Sequence, residues 1–277
     1  MKSSFGSILS EWRAVRWLSQ LDLALLTGIS QRHISFVESG RARPSRDMIL
    51  KLADGLDLPL RARNDLLLAA GYAPAFRERR LELDEMKPAR EALEMILSHH
   101  EPYPAIVTDA NWNIVMQNAA ALRIVAWCVA PDALRRLFPD GVVNFMRLMF
   151  SENGLRPHVG NWRQTRSALL NRLRREAGGR PDSPSEALRR KFDVRGGDDG
   201  IMPDDECLEP MLSLELRIGH ARLRLFNTFT TFGTPQDVLL QELRIDMSFP
   251  ADETTRRFLE SAAKVGIKGA LGAPLDA

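Results

Sequence analysis

Residues 20–37, QLDLALLTGISQRHISFV, decide the fold of the first part of this chain. Two short apolar-patterned stretches flank Gly28, which accepts the positive φ that a tight interhelical turn demands. Ser19 and Ser30 stand where a side-chain oxygen caps the first free backbone N–H groups of each helix. Ala24 is small enough for a second helix to cross close by, and Ile34 and Val37 fall at the steps that bury branched side chains against it. A cap, a small residue, a glycine turn and two buried apolar positions at these steps read as a helix-turn-helix.

Working outward, helical patterns continue on both sides. Ser7 is placed to cap a first helix carrying Ile8, Leu9, Trp12, Val15 and Leu18. Ser45 precedes Met48, Ile49, Leu52, Ala53 and Leu56 at helical spacing, and Pro59 opens a fifth helix that runs to Ala69 before Gly71. Residues 1–80 carry thirteen Lys/Arg against eight Asp/Glu, although the whole chain of 277 residues is only +2. A small basic front on a near-neutral body suits a polyanionic partner.

The pattern changes after residue 100. Residues 104–109 and 112–116 read as two strands joined at Ala110-Asn111, and helical stretches follow over 118–129, 131–138, 142–150 and 162–176. Three strands are expected at the end, Met211–Ile218, Arg222–Phe232 and Val238–Phe249. Leu223, Leu225, Asn227 and Phe229 share one face of the second, and Leu239, Leu243, Ile245, Met247 and Phe249 share one face of the third. The expected layout is 1–74 helical, 75–100 a connector, 101–264 an α+β domain with helices over one face of a five-stranded antiparallel sheet, and 265–277 a tail.

The front segment, Leu9 to Ala70, resembles the XRE or lambda-repressor-like helix-turn-helix regulators. The similarity is carried by the pattern around Gly28 and by Ser30-Gln-Arg-His-Ile-Ser-Phe-Val-Glu-Ser-Gly-Arg41. It implies an all-α five-helix domain whose third helix enters the major groove of duplex DNA. Gln31, Arg32, Ser35 and Phe36 are then the base-facing positions, and amide and guanidinium groups there suit adenine and guanine edges. Gln20, Ser30, Ser39, Arg41 and Arg43 are the implied phosphate contacts. Arg13 and Glu38 match a structural ion pair of that family, and Trp17 departs from its usual small residue at the end of the first helix. A homodimer on a pseudo-palindromic operator is the corresponding assembly.

The back half resembles the ligand-binding domain of MmyB-like regulators, a PAS-like fold. The similarity rests on residues 104–118, Asn144-Phe-Met-Arg-Leu-Met-Phe150, Trp162, and Thr230-Thr-Phe-Gly-Thr-Pro235 with the following Glu242 to Ile245. It implies a sensor of a small apolar, fatty-acid-like ligand. Phe145, Met149, Trp162, Phe226 and Phe229 are candidate wall residues, and Arg147 or Arg166 would meet a carboxylate. The competing class is a regulator whose second domain only dimerises or docks a protein.

Other signals are thin. His99-His100-Glu101 has no second cluster to complete a metal site, and Cys128 and Cys207 form no CxxC pair, so no metal, disulfide or resident cofactor is expected. No GxSxG, P-loop or dinucleotide glycine pattern occurs, so catalysis is not expected. No apolar run of membrane-spanning length and no basic-then-apolar leader is present, and the expectation is a cytoplasmic protein.

Overall fold

The structure is a computed structural model that describes residues 4–179, 183–193 and 213–269. Cys207, the first residues of the strand expected from Met211 and residues 270–277 of the expected tail lie outside the described residues. The chain forms two compact units. The first is Met1–Leu83 together with Phe232–Gln241, and the second is Asp84–Thr231 with Glu242–Ala277.

The first unit has the five expected helices: α1 (Phe5–Val15), α2 (Gln20–Thr27), α3 (Gln31–Glu38), α4 (Arg46–Gly55) and α5 (Leu60–Ala69). Helix α1 starts one turn earlier than its sequence suggests, because Ser4 rather than Ser7 is the cap. Ser19 and Asp22 cap α2 reciprocally, and Gly28 ends that helix at φ 68°. Leu9, Leu23, Ile34, Ile49, Leu52, Leu66 and Leu67 are fully buried and make one core. Gly6 is needed for a different reason: a Cβ there would lie 2.0 Å from the Glu38 backbone oxygen, so α1 approaches the end of α3 at backbone distance.

The connector expected over 75–100 does not exist as one element. Residues 75–76 are tied back to α5 by Asn64, whose Oδ1 accepts from both backbone N–H groups at 3.0 Å. Lys87–His99 is a regular helix, α6, of the second unit. Leu93 and Leu97 supply its buried face.

The second unit builds an antiparallel sheet from β1 (Ala105–Thr108), β2 (Ile114–Gln117), β3 (Leu214–Ile218), β4 (Ala221–Thr230) and β5 (Arg244–Pro250), in the order β2-β1-β5-β4-β3. Between β2 and β3 come α7 (Ala119–Cys128), α8 (Pro131–Leu137), α9 (Phe145–Phe150), α10 (Trp162–Ala177) and α11 (Pro184–Asp193). The strand expected over Val238–Phe249 is corrected. Its first part is a short helix, α12 (Val238–Glu242), because the Asp237 carboxylate accepts the Leu239 N–H at 2.9 Å and starts a helical turn. Helix α13 (Glu253–Gly269) closes the described chain.

Register fixes what each sheet face carries. Ile106 stands opposite Asp246 and Gln117, and Asn227 opposite Ser248. These, with Leu214, Leu216 and Leu225, look towards α7 and α9. The opposite face carries Ala105, Val107 and Ile245, all buried, with α6 packed against β1. The His100 ring at the end of α6 meets Phe249 edge-on. Helices therefore cover part of both faces, where sequence suggested one.

Candidate nucleic-acid interface and ligand cavity

Helix α3 buries Ile34 and Val37 and so turns Gln31, Arg32 and His33 to solvent. Ser30 accepts the His33 N–H and caps the helix. The Arg32 guanidinium lies 5.3 Å from the centre of the half-buried Phe36 ring, one turn on. That stacking holds the two expected base-facing side chains as a pair. Ser35 is half-buried, Ser39 donates to the Phe36 carbonyl at 3.2 Å, and Arg41 and Arg43 are exposed in the loop that follows.

Gln20, expected at a phosphate, has a partner within the unit. Its Nε2 donates to Glu38 Oε2 at 2.7 Å. Glu38 also receives Arg13, from Nε at 2.8 Å and Nη2 at 3.0 Å. Hydrogen bonding to Glu38 raises the Arg13 guanidinium above its ordinary value. One carboxylate thus ties α1, α2 and α3 together, using one of the two Gln20 amide hydrogens.

The stretch Phe232–Gln241 also belongs to this unit, although in the chain it joins β4 to β5. Buried Asp237 accepts the Arg79 backbone N–H and the Arg79 Nη1, each at 3.2 Å. Val238 donates its N–H to the Arg77 carbonyl at 2.9 Å. Gln241 Oε1 accepts the Leu60 N–H at 2.6 Å and so caps α5, where Pro59 offers no side-chain cap.

In the second unit a small cavity of about 70 Å³, partly open to solvent, lies between the inner sheet face and α7 and α9. Ile106, Ile124, Phe145, Leu148, Met149 and Leu225 form much of its wall. Its polar positions are Gln117, Asn227, Asp246 and Ser248. Asn227 Nδ2 donates to Asp246 Oδ1 at 2.6 Å and to Ser248 Oγ at 3.0 Å. Asp246 is buried, and burial pushes its carboxyl up to about 6.

Of the seven expected ligand contacts, Phe145 and Met149 line this cavity. The other five are placed elsewhere. Arg147 is exposed and stacks on Phe138. Arg166 is buried beside Asp193, with its Nη2 3.7 Å from that carboxylate. Trp162 meets Phe150 edge-on, and Phe226 faces the other side of the sheet, stacked on Phe249. Phe229 shares the inner face but lies beyond the cavity, under the Arg172 guanidinium. The polar cavity residues Asn227, Asp246 and Ser248 were missed. Alternation along β4 does put Asn227 among Leu223 and Leu225, and an amide on an apolar strand face was the available signal.

His99 and His100 direct a ring nitrogen to the carbonyls of Met95 and Ser248, and no group of three or more metal-binding side chains occurs among the described residues. No described helix is long and apolar enough to cross a membrane.

Comparison with known proteins agrees with both halves. Residues 16–62 match the helix-turn-helix family, and residues 89–262, more than half of the chain, match the MmyB-like transcription regulator ligand binding domain. An uncharacterized HTH-type transcriptional regulator of Bacillus subtilis (strain 168), RghRB, is 38% identical over 38% of this chain and 68% of its own length. Rv0023 of Mycobacterium tuberculosis (strain ATCC 25618 / H37Rv), also described as an uncharacterized HTH-type transcriptional regulator, is 27% identical over 62% of this chain and 73% of its own. With an exposed third helix in one unit and an apolar cavity in the other, the chain belongs to the MmyB-like family of helix-turn-helix transcription regulators, DNA-binding proteins with a ligand-binding domain.

Proposed function

We propose that this regulator binds a pseudo-palindromic operator as a homodimer, and that a small apolar ligand with an alkyl or acyl chain, held in the second unit, changes its operator affinity. The observation that carries the ligand half is the cavity itself. It is walled by aliphatic and aromatic side chains, with a polar patch of Asn227, Asp246 and Ser248 and a separate Gln117 across Ile106, the arrangement of a site for an amphipathic molecule. The strand order β2-β1-β5-β4-β3, two hairpins brought together by pairing of β1 and β4 with β5, supports a PAS-like sensory fold. Dimerisation follows from the small number of base pairs that one third helix reads.

Arg32 and Gln31 specify sequence in this reading, and Arg41 and Arg43 supply affinity through phosphates. Arg32→Ala is expected to cost about 1–3 kcal/mol on the preferred operator and to relax preference at one base pair. Arg43→Ala is expected to weaken specific and random DNA alike and to flatten the salt dependence. Titrations on both DNA types at several salt concentrations check this. Equal losses on specific and random DNA for Arg32→Ala would remove it from base reading.

Coupling runs through the chain between β4 and β5. Both strands contribute to the cavity wall, and the residues between them pack within the DNA-binding unit through Asp237 and Gln241. A ligand shifts operator affinity only by its differential affinity for two arrangements, typically by about 5–150-fold. Asp237→Ala is expected to leave ligand-free operator binding within about 2-fold and to abolish most of the ligand response. A response of unchanged size in that variant would place the route elsewhere.

A further inference from the structure

We propose that the cavity ligand is an apolar molecule ending in an ammonium group, a primary alkylamine in chemical class, with the Asp246 carboxylate as its acceptor. This rests on reading the cavity as the ligand site, and it is argued from the polar patch. Both amide hydrogens of Asn227 are used, one on Asp246 Oδ1 and one on Ser248 Oγ. The carboxylate fixes that amide with its nitrogen inward, since the flipped form would set oxygen against oxygen. Among the described residues Asn227 is the one hydrogen-bond donor to Asp246. Asp246 Oδ2, Asn227 Oδ1 and a lone pair of Ser248 Oγ are left as acceptors.

Among the described residues no Lys, Arg or His lines the cavity. The nearby cation, Arg172, has its Nε on Glu176 at 2.9 Å and its guanidinium 3.1 Å from the centre of the Phe229 ring. Arg244 lies 3.3 Å from the other oxygen of Glu176, which also accepts from Trp112 Nε1 at 3.1 Å. Arg172 and Arg244 thus share Glu176 and lie against aromatic faces, and Arg172 also acts on Asp246 through space without a hydrogen bond to it. A free carboxylate entering the cavity would meet a buried carboxylate and an amide oxygen with no cation to pair with. An ammonium instead brings three donors to three acceptors and pairs a buried charge that is otherwise stabilised by one amide and, more distantly, by Arg172. Burial raises the Asp246 carboxyl, and pairing with an ammonium would lower it again.

The test uses the full chain after delipidation, with decylamine, decanol and decanoate below their micelle concentrations, read by calorimetry near neutral pH. Decylamine is expected to bind at least about 10-fold more tightly than decanoate, with decanol between them, as one charge-assisted hydrogen bond implies. In Asp246→Asn, an isosteric change that keeps the Asn227 acceptor, the amine preference should fall to within about 2-fold. Preference for decanoate, or an amine preference that survives Asp246→Asn, overturns the head-group assignment while the sensory reading stands. Binding of none of the three overturns both. The series on the unaltered chain is decisive even if the variant folds poorly.

Discussion

Replacing Glu38 by alanine is expected to cost the helix-turn-helix unit about 3–5 kcal/mol, the range for breaking a largely buried ion pair from one side. The Glu38 side chain is 8% exposed and that of Arg13 19%, so water replaces little of what is lost. Three donated hydrogen bonds end on that one carboxylate, two from Arg13 and one from Gln20. Its removal leaves a guanidinium and an amide facing each other with no acceptor. Glu38→Gln keeps one oxygen and should lose less, because the amide still accepts from one neighbour. Urea unfolding of the two variants against the unaltered chain checks the order. Operator affinity should fall with Glu38→Ala as well, since the carboxylate fixes α3 relative to α1 and α2. An unchanged unfolding midpoint for Glu38→Ala would show that the pair contributes nothing.

That network illustrates how far the chain could be read before its structure was known. The pairing of Arg13 with Glu38 rests on a family resemblance and on helical spacing, and both residues are local to helices whose caps and turn are explicit in the sequence. Gly28, Ser19 and Ser30 act within four residues of themselves, so their roles need no knowledge of the rest of the fold. The bond of Gln20 to Glu38 is not legible in the sequence, because it depends on where a residue eighteen positions away comes to lie. Gly6 was invisible for the same reason: nothing in its neighbours signals the backbone of Glu38.

The second unit was legible in its elements and much less so in its site. Strand β5 shows why. Ile245, Met247 and Phe249 alternate with Asp246 and Ser248, and hydrophobic alternation assigns the apolar set to the core. The sheet is covered on both faces, so Ile245 is buried on the side of α6 while Asp246 and Ser248 face the cavity. Alternation identifies two faces but does not say which one lines a pocket when both are buried. The aromatic residues chosen as wall failed likewise. Phe226 and Trp162 are large and apolar, yet they fill space with Phe249 and Phe150. The stretch Phe232–Gln241 was misread as partly strand because its helix start depends on Asp237, whose other hydrogen bonds go to Arg79, 158 positions away.

Asp246→Asn is expected to stabilise the ligand-free protein by about 3 kcal/mol at neutral pH and above, and not at all well below pH 4. Burial raises the folded-state carboxyl from an ordinary 3.8 to about 6. Between those values the folded chain holds a proton that the unfolded chain has released, so stability falls as pH rises through the window. Below it both states are protonated and the aspartic acid has no penalty to remove. Above it the folded protein carries a buried charge opposed mainly by Asn227 and more distantly by Arg172. The neutral amide of the variant keeps the acceptor for Asn227 and carries no charge, so the difference between the two proteins should open between about pH 4 and 6 and then stay constant. Urea unfolding at half-unit pH intervals measures it. A difference that is flat across that range would mean that Asp246 is solvated in the folded state. An alkylamine in the cavity should act in the opposite direction to burial, lowering the Asp246 carboxyl again and restoring stability to the unaltered chain at neutral pH, with no such gain in Asp246→Asn.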